Sequence, residues 1–383
     1  MCQYLVKRFL DCDILAWLAM LLVTLVLGKS QTVFAQGCVA SRGTGMTACQ
    51  SGTHLMGDEV QPPTSGFQAS VGYRWLHSDR MFIYDVEQKQ READGSQEIN
   101  NSNFIDLGIS YAFTPRFSAT FTIPFSFHDR SQVVRALNAQ RTILDRFHTQ
   151  SAGIGDVRLE GNVWILDPHQ HMKGNALLGL GISAPTGDRD AQDTFETYNF
   201  SSRSIVASQH AVDQSIQPGN GGWGIVFDMY AYREIVPRLN GFLNGSYTMT
   251  PEEKYTPTAS LSAIPIVNPS GDYSIGDSYM ARGGFEYLVW PKHSLSISLA
   301  GRIDGVPVHD LVGGSEGFRR PGYAVSIEPG LSLAIKSWSF TFNTPVALYR
   351  NRLQSVPERT AGIAPVAAGF ADFVVMCSVT KKF

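Results

Sequence analysis

The chain has 383 residues, 17% of them charged and 11% aromatic, with 36 glycines. An average soluble domain carries roughly 25% charge, yet the mean hydropathy here is only -0.07, so neither a disordered chain nor a bundle of membrane helices fits. A formal net charge of -3 and an isoelectric point near 6.3 exclude a globally basic nucleic-acid binder.

At the N-terminus, Lys7 and Arg8 precede an apolar run from Ile14 to Gly28. That run is about 15 residues, short of the ~20 a spanning helix needs. Lys29 to Thr32 are polar, and Val33-Phe34-Ala35 offers small residues where a signal peptidase reads. Residues 1–35 therefore read as a secretory signal peptide, with a retained anchor as the alternative; Asp11 and Asp13 are unusual beside such an apolar core. Export would remove Cys2 and Cys12 and leave Cys38, Cys49 and Cys377. Cys38 and Cys49 share a short Gly- and Ser-rich stretch and are candidates for a disulfide in an oxidising compartment. Cys377 lies in an alternating apolar run and reads as a small hydrophobe. Residues 36–66 read as an N-terminal periplasmic or plug-like segment.

From residue 67 to residue 383 the pattern is period two. Phe67–Trp75, Ile105–Tyr111 and Phe117–Ile123 alternate apolar with polar or small residues. Further runs occupy 154–166, 175–184, 223–235, 239–249, 278–290, 294–304, 323–336, 338–349 and 369–383, twelve candidate strands in all. Pro124, Pro329 and Pro345 fall within this pattern and should mark bulges or strand ends, since proline donates no ladder hydrogen bond. Short turns occur at Thr114-Pro115, 167–174, Val236-Pro237-Arg238, Pro291-Lys292-His293 and Lys336-Ser337. Long polar loops occupy 77–102, 127–153, 184–222, 250–277, 305–321 and 350–368. An even number of strands, with turns at one end and loops at the other, is the plan of an all-β transmembrane antiparallel up-and-down β-barrel with short periplasmic turns and long extracellular loops. A soluble sandwich would not sort its loops by length.

Energetics assign the faces. Apolar residues are mostly odd-numbered, while even positions carry Arg74, Asp106, Asp156, Arg158, Glu160, Asp228, Arg282, Glu286, Arg302 and Glu328. An outward Arg or Lys near the bilayer midplane costs about 2–4 kcal/mol, and acids cost less. Ten such charges would cost on the order of 20 kcal/mol, beyond a typical domain's stability of roughly 5–15. They should face the lumen, together with Trp164, Val226, Tyr230, Phe242 and Met280. The runs 175–184 and 338–349 place their apolar residues on even positions, which a change of parity at an intervening turn accommodates.

The last strand alternates through Phe373, Val375 and Val379 and ends on Phe383. This resembles the signal by which assembly machinery recognises bacterial outer-membrane barrels. Gly153-Ile154-Gly155-Asp156-Val157, Ala184-Pro185-Thr186-Gly187 and Gly219-Asn220-Gly221-Gly222-Trp223 resemble segments of the meta-pathway of phenol degradation family. That family is broadly grouped with hydrophobic-solute channels of the long-chain fatty-acid type. The resemblance spans roughly 67–383 and implies an outer-membrane barrel that passes small solutes.

Apparent catalytic motifs fail on context. Gly179-Leu180-Gly181-Ile182-Ser183-Ala184 is followed by Pro185 and Gly187 where a phosphate-facing helix should begin. Gly313-Gly314-Ser315-Glu316-Gly317 resembles a nucleophile elbow, but Pro321 follows and no histidine comes after His309. His169 and His171 read as a solvated turn rather than a metal site. The charge-rich loop 77–102 reads as a solvated rim. Within 131–148, Val133, Val134, Leu137, Ile143, Leu144 and Phe147 suit a loop helix packed into the barrel mouth, with a loop of no fixed structure as the alternative. Trp75, Trp223, Tyr323 and Trp338 suit interfacial girdles.

The expected protein is a channel or transporter in the bacterial outer membrane, passing small amphipathic or aromatic solutes through a polar lumen. It is not expected to be an enzyme or to need a cofactor. Its partners would be membrane lipid, lipopolysaccharide, the assembly machinery and the solutes, with no nucleic acid. A non-transporting structural or adhesion barrel is the alternative, and an outer-membrane hydrolase a weaker one.

Overall fold

The computed structural model describes residues 65–136, 142–252, 254–258 and 270–383. The expected signal peptide, nearly all of the 36–66 segment and the Cys38/Cys49 pair lie outside the described residues.

Twelve barrel strands follow one another along the chain. They are β1 (Gly66–Ser78), β2 (Ile99–Ala112), β3 (Phe117–Arg135), β4 (Ile143–Ile154, continued by Val157–Trp164), β5 (Gly174–Ala184) and β6 (Gly224–Val236). The second half comprises β7 (Leu239–Met249), β8 (Ser278–Trp290), β9 (Leu295–Val306), β10 (Gly322–Ile335), β11 (Trp338–Asn343, continued by Val346–Arg352) and β12 (Val374–Lys382). Each pairs antiparallel with its chain neighbour, and β12 pairs back on β1 from Gln68↔Lys382 to Leu76↔Val374. Closure leaves no sheet edge, and only a closed sheet satisfies every backbone group in lipid.

Alternation decides what each face meets. In β1 the even residues from Gln68 to Ser78 are buried, while Phe67 and Val71 are exposed. The parity inverts in β5, where Leu178, Leu180 and Ile182 face out and Asn175, Leu177 and Ser183 face in. Exposed aromatics crowd both ends of the wall: Phe113, Phe117, Trp290 and Trp338 at the turn end, Trp223 and Tyr349 at the loop end. Tyr323 stacks obliquely on Tyr349, and Trp75 meets Phe373 edge-on.

The three prolines sit where the ladder breaks. The N–H and C=O of one residue in an antiparallel strand point to the same neighbour. Pro124 accepts a bond from Gly155 N at 2.7 Å, so its missing N–H falls at the gap between the two pieces of β4. Pro329 accepts from Thr344 N at 3.1 Å and faces the gap in β11, which Pro345 itself occupies.

Two loop expectations are corrected. Among the described residues of 131–148 there is no helix: β3 runs on to Arg135 and β4 starts at Ile143, paired from Phe125↔Ile154 to Arg135↔Ile143. Val133 and Val134 are β-branched, and their neighbours alternate well enough to extend the hairpin beyond the wall. The 77–102 segment is not simply a solvated rim. It contributes strands Arg80–Ile83 and Val86–Glu87 to a three-stranded sheet with Ala368–Phe370, then a short helix, Lys89–Ala93. Met81, Phe82 and Phe370 are buried there, and Arg80 binds both Glu87 and Asp372.

Candidate functional site: lumen and loop-end constriction

The inward side chains form a charged storey. Arg74 pairs with Asp106 at 3.3 Å across β1 and β2, and its guanidinium lies over the Phe104 ring. On β8 to β10, Glu328 takes hydrogen bonds from both Arg282 and Arg302, and Arg302 Nε also donates to Asp304 at 2.8 Å. Arg282 lies over the Phe242 ring. Glu286 accepts from Ser332 Oγ at 2.7 Å. Glu160 is buried on β4, in electrostatic contact with Asp228 and Arg158. The pairing follows from burial, because an unmatched ion inside the wall would carry a desolvation penalty of several kcal/mol.

Asp156 is placed differently from the other charged residues. It lies in the gap of β4, not on a strand, and its carboxylate accepts from Gly187 N at 3.1 Å and Asn220 N at 2.8 Å. Thr186 Oγ1 donates to Gly155 O and accepts from Val157 N, and Gly187 and Gly219 meet backbone to backbone. The three Gly-rich segments are therefore one knot that ties the loop after β5 to the wall.

Nearer the turn end the interior is aromatic. Trp164, Leu177 and Tyr232 form one buried cluster, with Tyr230 and Phe242 packed against it. Trp164 meets Tyr232 edge-on at 6.1 Å. Leu177, Tyr232 and Asp304 were not singled out from the sequence, although inward parity marks all three.

At the other end, loops cross the opening. Asp213 receives both terminal nitrogens of Arg320 at 2.8 Å and lies 4.0 Å from Arg130. Arg130 belongs to β3 and Arg320 immediately precedes β10, nearly opposite on a twelve-strand ring, so this bridge spans the mouth. Burial alone would raise the Asp213 carboxyl, but the two guanidinium groups outweigh it and hold it well below its usual value. Arg319 grips Asp310 through two bonds of 2.6 and 2.5 Å. Asp277 accepts from Tyr247 Oη, Thr250 N and Leu311 N. Arg352 and Glu358 pair at 2.8 Å with no exposure on either side. Beneath the loop hairpin Gln192–Asn199/Ser204–Ala211, Val134, Phe147, Phe195, Val212 and Ile216 form an apolar cluster.

No protein-family model matches the chain, and no curated protein does. A solved outer-membrane channel from Pseudomonas putida F1 superposes with a TM-score of 0.53 at 12% identity, covering 85% of this chain and 98% of that one. The translocator domain of the autotransporter NalP from Neisseria meningitidis gives 0.44 at 9% identity, covering 90% and 95%. The toluene transporter TodX of P. putida gives 0.42 at 9% identity, covering 83% and 90%. The first likeness and the closed twelve-strand wall define a bacterial outer-membrane β-barrel of the channel-like fold. The turns are then periplasmic and the long loops extracellular.

Proposed function

We propose that the protein is an outer-membrane channel for small amphipathic or aromatic solutes. The observation that carries this reading is the aromatic storey of Trp164, Tyr230, Tyr232 and Phe242 inside the barrel. A general porin has a polar, water-filled interior. Rings and paired charges in sequence suit a solute whose ring packs while its polar group is hydrogen-bonded. Arg158 and Arg282 are the proposed polar contacts, with Trp164 and Tyr230 as the stacking surfaces. Arg282 is charge-balanced by Glu328, and its Nε has no partner among the described residues, so it offers a hydrogen bond rather than net charge. Membrane lipid, lipopolysaccharide and the assembly machinery are the partners this location implies.

Proteoliposome uptake tests the reading. A phenol or small aromatic acid should enter faster than a sugar of similar size, and Trp164→Ala should erode that preference several-fold with little change in ion conductance. Equal uptake of both solutes, insensitive to Trp164→Ala, would leave only a general pore. The dense Arg282/Arg302/Glu328 packing favours one rival, a filled structural barrel, and complete absence of conductance would establish it.

A further inference from the structure

A cavity of about 100 Å³ lies at the loop end, between the wall and the loops that cross the mouth. It belongs to none of the lumen positions discussed above. Its lining is mixed: the polar residues Arg91, Glu98, Asn100, Arg130, Ser215 and Arg320 stand with the apolar Phe370, Val306, Val366 and Ala368. Its size is of the order of the roughly 150 Å³ apolar cavity that accommodates benzene.

The charges around it are unequally matched. Arg91 is bonded to Glu98 at 2.7 Å, and Arg320 takes both oxygens of Asp213 at 2.8 Å. Arg130 donates to the neutral Asn100 side chain at 3.0 Å and reaches the already engaged Asp213 only at 4.0 Å. Three guanidinium groups therefore face two carboxylates. Arg130 Nε is buried without a hydrogen-bond partner among the described residues, and the buried Ser215 hydroxyl lies beside the Asp213 carboxylate. A buried polar group left unsatisfied is costly, and more so when charged, so a suitable ligand would relieve it.

We infer that this cavity is a binding site for a small monocarboxylate whose apolar body is no larger than one ring. The carboxylate meets Arg130 and the Ser215 hydroxyl; the body rests against Phe370, Val306 and Val366. A guanidinium suits a carboxylate because its planar N–H fork matches two oxygens. The inference rests on the channel reading for why a solute should reach the mouth, and it deepens that reading by naming an entrance subsite.

Calorimetric titration of the full, folded barrel in detergent with benzoate, cyclohexanecarboxylate and benzamide tests it. Both acids should bind saturably at one site, and the neutral amide at least about tenfold more weakly. Arg130→Gln should weaken acid binding about tenfold and Ser215→Ala by a few-fold. Ala368→Leu, which fills the cavity without touching a charge, should weaken it as well. Heat-modifiable gel mobility verifies that each variant is folded. The inference is overturned if the wild-type protein binds neither acid, if benzamide binds as tightly as benzoate, or if Arg130→Gln and Ala368→Leu both leave acid binding unchanged. Binding without proteoliposome uptake would sink the channel reading and spare this site; uptake without binding would do the reverse.

Discussion

Leu107 and Ser110 stand three residues apart on β2 and meet different solvents. Leu107 is 40% exposed on the outer face, whereas Ser110 is 7% exposed inside, bonded to Thr120 beside a turn-end cavity. Leu107→Arg puts a charge into hydrocarbon at a cost of about 2–4 kcal/mol and should abolish the folded band on a heat-modifiability gel. Ser110→Arg can extend into the cavity and should keep that band. Equal loss in both would contradict the facing. Asp213 makes a second residue-scale prediction, for its buried contact with Arg130 and Arg320 draws the loop across the mouth. Its folded pKa lies below the unfolded value of about 3.9. The stabilisation is therefore fully present above that value and is lost only as pH falls through the lower, folded one. Hydrogen-exchange protection of residues 212–217 should stay flat between about pH 7 and pH 5 after correction for intrinsic rates. Asp213→Asn should lower it throughout that range, since breaking a buried pair costs about 3–5 kcal/mol.

Strands β4 and β5 and the loop that follows are joined by the glycine knot, and here the element depends on the absence of side chains. A Cβ on Gly187 would come within 2.6 Å of the Gly219 Cα, so neither position accepts even alanine without parting the two segments. Gly219→Val should cost about 1–3 kcal/mol through overpacking. Because the barrel ladder is untouched, the loss should be local. Limited proteolysis should nick the variant between residues 188 and 218 while the heat-modifiable band survives. Nicking no faster than in the wild-type protein would show that the loop is held elsewhere, for instance by the Asp213–Arg320 bridge.

Across the whole molecule the lumen arginines sit beside carboxylates, and Glu328 is the acid on which two of them converge. Glu328→Gln would remove the ion pair of Arg282, leaving it only the longer-range attraction of Glu286, and leave Arg302 with Asp304. The reversal potential in a salt gradient should then move toward anion selectivity, and stability should fall by about 3–5 kcal/mol. An unchanged reversal potential would mean that ions do not pass this storey.

How much of this was legible beforehand depended on distance along the chain. Side chains on a strand alternate whatever the strand pairs with, so Phe67 to Trp75 declares its inner and outer faces locally. The cost of a charge in lipid then sends the even-numbered residues inward. Turn lengths revealed the up-and-down order for the same local reason. The prolines could be marked as breaks, but not matched to the gaps they face, because Pro329 and Thr344 meet only once the register of two strands is set. Period two also stops short of the loops: the apolar residues from Val133 to Phe147 suit a helix as well as a strand, and only the pairing of β3 with β4 decides between them. The bridge of Asp213 to Arg320 joins residues 107 apart in sequence. No periodicity announces such a partner; it is chosen by desolvation, which makes a buried carboxylate stable only where the closed barrel happens to bring guanidinium groups across the mouth.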